Sequence, residues 1–150
     1  MTNRIIQYDT YSCFACVAAM ITGKTVKDVF NFLGHDGSGY KEDSTHPDKC
    51  SGFEQLEIVK YLAEYRYTLG IWSQFKDSEN LGDIDEIHFE LKLSDCPAVL
   101  IVKSKRLGDC CTHVVYWDGK NIFDPSPDIE DFPKLNTYDV FDFIPVIKFD

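Results

Sequence analysis

Apolar residues near the start of the chain recur with the spacing of helices. The stretch Cys13–Thr22 is almost continuously apolar, which predicts a buried helix that begins near Cys13 and ends at Gly23. Thr25 then precedes apolar residues at helical spacing, and Asp28 follows three positions later, as in a capping box. The pattern predicts a second, short helix that ends at Gly34.

A polar stretch separates these two helices from a third. Residues 34–50 have no apolar periodicity and contain three glycines and a proline, which predicts a long loop beside a site. Ser51 and Glu54 then have the spacing of another capping box. A third helix is predicted after them, with apolar positions at Leu56, Val59, Leu62 and Ala63.

The second half of the chain has the composition of β-strands. Strands are predicted over residues 67–72, 98–102, 112–117, 120–123 and 140–149, while residues 81–93 fit a helix or a loop equally well. Asp118-Gly119 predicts a tight hairpin between the third and fourth strands. Because Pro145 interrupts a regular ladder, the closing stretch is predicted to be a last strand pair or an edge strand. This order predicts an α+β fold, with N-terminal helices packed against an antiparallel sheet.

Length and charge limit the classes of function. The chain has 150 residues, 44% of them hydrophobic and 27% charged, with no internal repeat, so a single domain over residues 1–150 is predicted. The net charge is -10 and the pI is about 4.7. A nucleic-acid backbone or an anionic lipid surface would be repelled by most faces of such a protein, which argues against nucleic-acid and membrane partners.

The start of the chain and its cysteines bear on its compartment. The first residues lack the order of a signal peptide and the apolar runs are too short to span a bilayer, so we expect a cytoplasmic protein with six reduced cysteines. Cys13 and Cys16 form a C-x-x-C, but the adjacent Cys110 and Cys111 do not supply the second spaced pair of a zinc site. No metal or other cofactor is predicted.

The predicted hairpin brings a histidine and a carboxylate together. With Asp118 and Gly119 as the two loop residues, His113 lies directly opposite Asp124, with Cβ atoms about 4.5 to 5.5 Å apart. A carboxylate at that distance can accept a hydrogen bond from the imidazole and orient it as a base. The alternative is that Asp124 only begins the Asp-Pro-Ser-Pro turn.

Cys13 is a candidate nucleophile. It stands at the start of a helix, where free amide groups and the helix dipole favour the thiolate. Gln7, six residues earlier, is placed to join the Cys13 amide in binding an oxyanion. The alternatives are that Cys13 is a small buried apolar residue and Gln7 a surface amide. Cys16 fits helix packing better than a redox pair with Cys13, and His46 is predicted to be exposed and without a role.

Two segments resemble the papain-like cysteine peptidases, most closely the bacteriocin-processing family that cuts leader peptides after a double glycine. The first is Gln7-Tyr-Asp-Thr-Tyr-Ser-Cys13-Phe-Ala-Cys-Val-Ala-Ala-Met20. The second is Thr112-His113-Val-Val-Tyr-Trp-Asp-Gly-Lys-Asn-Ile-Phe-Asp124-Pro. The order Cys, His, Asp along the chain also agrees with the family.

The resemblance implies a papain-like fold and a role for each of four residues. Cys13 would be the nucleophile, His113 the general base and acid, Asp124 the orienting acid and Gln7 the oxyanion donor. Phe14 stands where the family often has glycine, which implies a differently shaped cleft floor. The predicted activity is hydrolysis of a peptide or amide bond in a peptide or protein substrate. An amidase or acyltransferase with the same residues, and a catalytically silent binding or inhibitory module, are the alternatives.

Overall fold

A computed structural model describes residues 2–70, 73–74, 95–108 and 111–150. The three helices are α1 (Cys13–Thr22), α2 (Val26–Leu33) and α3 (Gln55–Glu64). The strands are β1 (Tyr67–Leu69), β2 (Ser73–Gln74), β3 (Ala98–Lys103), β4 (Thr112–Trp117), β5 (Ile122–Phe123) and β6 (Val140–Lys148). The predicted α+β class is confirmed, whereas the ambiguous stretch 81–93 lies outside the described residues. In the described part of the chain, no helix has the length and apolar character needed to cross a bilayer.

Local signals determine where the helices begin and end. Gly23 ends α1 in the left-handed conformation, and Thr25 and Asp28 form the predicted capping box of α2. The predicted capping box of α3 begins three residues too early in the chain. Glu54 is the N-cap, and its amide donates to the Glu57 carboxylate at 2.9 Å. The Ser51 amide is unavailable for capping because it donates to the Gly39 carbonyl within the preceding loop.

All strand pairs are antiparallel, in the order β1-β6-β3-β4-β5, and β2 also pairs with β6. The prediction of an edge position for β6 is therefore wrong. Pro145 is tolerated inside the sheet because β6 changes partner there, from β3 to β1. Its carbonyl still accepts a hydrogen bond from the Gly70 amide at 2.7 Å.

The β4–β5 hairpin has a different register from the predicted one. Trp117 pairs with Ile122, and the Asp118 amide donates to the Asn121 carbonyl, so the loop residues are Gly119 and Lys120. The Asp118 carboxylate fixes this turn by accepting from the amides of Lys120 and Asn121, at 2.9 and 2.7 Å. The predicted opposition of His113 and Asp124 is wrong. A shift of two positions nevertheless keeps both residues on the same face of the hairpin.

Both faces of the sheet are buried, which explains the almost continuous apolar run of β3. The helices cover one face, where α1 packs against Val114 and Tyr116 of β4. The segment 132–140 covers the other face, where Leu135 and Tyr138 pack with Val115 and Trp117. Because residues alternate along β4, His113 shares the face of Val115 and Trp117, next to Tyr138.

Candidate active site

Cys13 is placed at the helix start by the turn that precedes it. The Asp9 side chain accepts hydrogen bonds from the amides of Tyr11 and Ser12, at 2.9 and 2.8 Å, and so fixes the chain as it enters α1. Cys13 is the first residue of α1 and is half-buried, whereas Phe14 to Ile21 are all buried. The thiol therefore stands where the buried helix reaches the surface.

The Gln7 side chain lies in the interior beside this turn. Only 3% of the residue is exposed, so the alternative of a surface amide is wrong. Its Nε2 donates to the Asp9 carbonyl at 2.8 Å, which uses one of its two N–H groups. Its backbone amide donates to the Pro125 carbonyl at 2.8 Å. Gln7 is therefore attached to the turn before Cys13 and also to the residue after Asp124.

His113 and Asp124 are joined by a hydrogen bond. His113 Nε2 lies 2.8 Å from Asp124 Oδ1, although the two residues are not opposite each other in the ladder. Diagonal neighbours on one face of a hairpin are still within reach of long side chains. Ser126 contacts both residues of this pair. Its amide donates to Asp124 Oδ1 at 2.8 Å, and its Oγ lies 3.1 Å from His113 Nε2. Tyr138 Oη donates to Asp124 Oδ2 at 2.5 Å.

The charge states of His113 and Asp124 depend on each other. Burial lowers the pKa of His113, but hydrogen bonds to Asp124 and Cys13 and the charges of both raise it more, to about 9. Burial raises the pKa of Asp124, but the hydrogen bond and charge of His113, with the hydrogen bonds from Tyr138 and Ser126, lower it to about 2. An imidazolium and a carboxylate are therefore favoured at neutral pH.

Arg4 holds the segment that carries Asp124. Its Nε donates to the Asp124 carbonyl at 2.7 Å, and its Nη2 donates to the carbonyls of Ser126 and Ile129 at 2.6 and 2.7 Å. Its Nη1 forms an ion pair with Asp131 at 2.8 Å. Arg4 and Tyr138 were not predicted as part of the site, because no spacing along the chain indicates their contacts with Asp124. Ser126 was not predicted either, although its place in the Asp-Pro-Ser-Pro turn is a local signal that could have indicated it.

A cleft of about 210 Å³ opens beside Cys13. Its apolar walls include Phe14, Phe53 and Val114, and the loop 44–53 forms one side. His46 belongs to that side, where its Nε2 lies 2.8 Å from Thr10 Oγ1. The expectation of an exposed His46 is wrong, because the residue is half-buried and lines the cleft. Phe14 is buried in the cleft wall at a position where glycine would leave space.

The other cysteines differ from Cys13 in their surroundings. Cys16 is 1% exposed, and burial raises its pKa to about 12, as the helix-packing interpretation requires. Cys111 is buried, donates to the Thr45 carbonyl at 3.4 Å and lines the cleft. Cys110 lies outside the described residues. Among the residues that the structure describes, there is no group of three or more His, Cys, Asp or Glu side chains that could hold a metal ion.

Replacing Tyr138 by phenylalanine is expected to raise the pKa of Asp124 by about one unit, because one hydrogen bond to its charged form is lost while that from His113 remains. NMR titration of the Asp124 carboxyl carbon measures this shift. Tyr40→Phe is the matched control, since Tyr40 is 77% exposed. An unchanged Asp124 pKa in the Tyr138 variant would show that the phenol does not stabilise the carboxylate.

Comparison with known proteins finds a similar fold but no matching sequence family. No family model matches the sequence, and no curated protein matches it either. A solved structure is similar in fold, that of a double glycine motif protease from an AMS/PCAT transporter in complex with the leader peptide. The similarity has a TM-score of 0.56 and 16% sequence identity, and it covers 98% of this chain and 90% of that chain. The chain therefore shares the α+β fold of this double glycine motif protease.

Proposed function

We propose that this chain is a cysteine hydrolase that cleaves a peptide or amide bond, with Cys13 as the nucleophile. One observation carries the proposal: His113 is hydrogen-bonded to Asp124 at 2.8 Å, and although burial lowers its pKa, interactions with Asp124 and Cys13 raise the pKa to about 9. A buried imidazole between a carboxylate and a thiol at a helix start is the arrangement that nucleophilic catalysis by cysteine requires. The papain-like fold supports the same assignment.

The proposed first step is attack of the Cys13 thiolate on the substrate carbonyl carbon. The oxyanion that forms accepts hydrogen bonds from the second N–H of Gln7 Nε2 and from the Cys13 amide. The Gln7 side-chain amide has two N–H groups, and the hydrogen bond to the Asp9 carbonyl uses only one of them. The Cys13 amide has no acceptor within the helix because Cys13 is the first helical residue. Each such donor contributes on the order of 10²-fold to 10³-fold to the rate.

The remaining steps depend on His113. Its imidazolium donates a proton to the departing amine, which leaves a thioester on Cys13 and a neutral imidazole. The imidazole then takes a proton from water as the water attacks the thioester, and the thiolate is released. Asp124 orients the ring through these steps by accepting from Nε2, and this leaves Nδ1 to face the reacting atoms.

A peptide or protein is the proposed substrate. The cleft beside Cys13 has a mixed polar and apolar lining and about 210 Å³ of space, which suits one or two small side chains rather than an extended cofactor. The similar solved structure holds a leader peptide, which supports a peptide as the ligand class for this fold.

Iodoacetamide is expected to label Cys13 much faster than any other thiol, because Cys13 is the proposed nucleophile and is half-buried at the start of a helix, whereas Cys16 and Cys111 are buried. Mass spectrometry of peptides after graded labelling at a series of pH values measures the rate at each cysteine. Cys96, which is half-buried and donates to the Pro97 carbonyl, is an internal control in the same sample. Slow labelling of Cys13 at the rate of Cys96 would favour a binding module without turnover.

A further inference from the structure

The loop between β3 and β4 holds an arginine against the turn that carries the oxyanion donor. The loop is closed by a hydrogen bond from the Ser104 amide to the Cys111 carbonyl at 3.1 Å. Within it, the Leu107 amide donates to Ser104 Oγ at 3.0 Å. Arg106 Nη1 donates to the Asp9 carbonyl at 3.2 Å, and Gln7 Nε2 donates to the same carbonyl. Arg106 and Gln7 are therefore neighbours.

These neighbours border a second, smaller space at the site. A cavity of about 10 Å³, roughly the space of one water molecule, is lined by Gln7, Thr10, Arg106 and His113 among others. Cys13 lines the 210 Å³ cleft and not this cavity. The cavity therefore borders both the proposed oxyanion donor, Gln7, and the proposed proton donor to the leaving group, His113, which puts Arg106 beside the carbonyl that would react and its leaving group.

Two cationic groups are among the described residues that line the cavity. They are Arg106 and the His113 imidazolium, and the charge of the imidazolium is paired with Asp124. Arg106 is exposed and forms no ion pair with the described residues. The neighbouring Lys105 is engaged elsewhere, with its Nζ 3.9 Å from the centre of the Tyr138 ring. In a chain of net charge -10, this exposed guanidinium provides a local attraction for an anion.

We propose that Arg106 determines specificity by binding a carboxylate of the substrate on the leaving-group side of the scissile bond. The inference rests on the proposed hydrolase function. A guanidinium binds a carboxylate through two parallel hydrogen bonds, and only one of its terminal nitrogens is used by Asp9. The carboxylate belongs either to an acidic side chain or to the C-terminus of a short leaving peptide.

The experiment begins with a random-sequence peptide library, in which mass spectrometry locates the cleavage sites. The best-cleaved sequence is then made with Glu, Gln or Lys directly after the scissile bond, each with a long leaving segment. A further pair ends one residue after that bond, with a free or an amidated C-terminus. These two sets distinguish a side-chain carboxylate from a terminal one.

The natural chain is expected to cleave the preferred carboxylate peptide about 5- to 10-fold better than its neutral partner in kcat/KM, mainly through a lower KM. Arg106→Gln should abolish this ratio, Arg106→Lys should retain part of it, and Arg106→Glu should favour the Lys peptide. Lys120→Gln removes an equal charge at the far end of β4 and should leave the ratio unchanged.

An equal loss for every peptide in Arg106→Gln would overturn the inference, since it would mean that Arg106 acts only through the Asp9 carbonyl. A ratio near one in the natural chain would also overturn it, while selective labelling of Cys13 by iodoacetamide would leave the hydrolase assignment standing. Absence of cleavage together with unselective labelling would overturn both proposals.

Discussion

Replacement of Cys13 by alanine is expected to abolish turnover and to lower the pKa of His113 below its value of about 9. Loss of a nucleophile typically costs on the order of 10⁶-fold in kcat, and binding with oxyanion stabilisation provides the small remainder. The pKa falls because the hydrogen bond and charge of Cys13 are two of the causes that raise it, while burial, which lowers it, persists. Peptide cleavage and NMR titration of the His113 ring measure the two effects.

The same variant tests a dependence of stability on pH. A histidine whose pKa is higher in the folded state stabilises the fold fully below its unfolded pKa of about 6.5, and this stabilisation is lost as the pH rises through the folded value. In the natural chain the loss is complete above about pH 9, whereas in Cys13→Ala it is complete at a lower pH. Cys96→Ala should behave as the natural chain does. Full activity in Cys13→Ala would disprove the assignment of the nucleophile.

Asp124→Asn is expected to reduce kcat on the order of 10²-fold, because an amide can still accept a hydrogen bond from Nε2 but no longer supplies the charge that favours the His113 imidazolium. Asp124 is 1% exposed, and its pKa of about 2 lies below the unfolded value near 3.9. The carboxylate therefore stabilises the fold above the unfolded pKa, and this contribution, about 2 kcal/mol, is lost as the pH falls through about 2.

The asparagine variant should accordingly lose about 2 kcal/mol of unfolding free energy at neutral pH and show a flatter dependence on pH between 2 and 4. Urea unfolding at several pH values gives both quantities. Asp128→Asn is the control, because Asp128 is an exposed acid in the same segment. If both variants have the same kcat and the same acid unfolding as the natural chain, then Asp124 neither orients His113 nor stabilises the fold through its charge.

Features determined by neighbouring residues were predictable from the sequence. The bounds of α1 and the Thr25–Asp28 box were correct because a glycine and a capping pair act within one helical turn. The pairing of His113 with Asp124 was also correct in outcome. Its reason differed, since the Asp118 side chain moved the turn by one residue and the shared face alone kept the two side chains within reach.

Features that depend on distant parts of the chain were not predictable. Pro145 suggested an edge strand, but β6 lies inside the sheet because strands far earlier in the sequence pair with it on both sides. Nothing in the spacing of Tyr138 or Arg4 indicates that both contact Asp124, since these contacts form only when the sheet and the turn after β5 come together. Tertiary packing, and not local preference, decides such positions.

The four hydrogen bonds and ion pairs of Arg4 have a practical consequence for handling the protein. A chain shortened by its first four residues would keep every group assigned to the chemistry. It would lose the hydrogen bonds by which Arg4 holds the segment that carries Asp124. Expression vectors for this protein should therefore carry their tags after Asp150, where the chain is exposed.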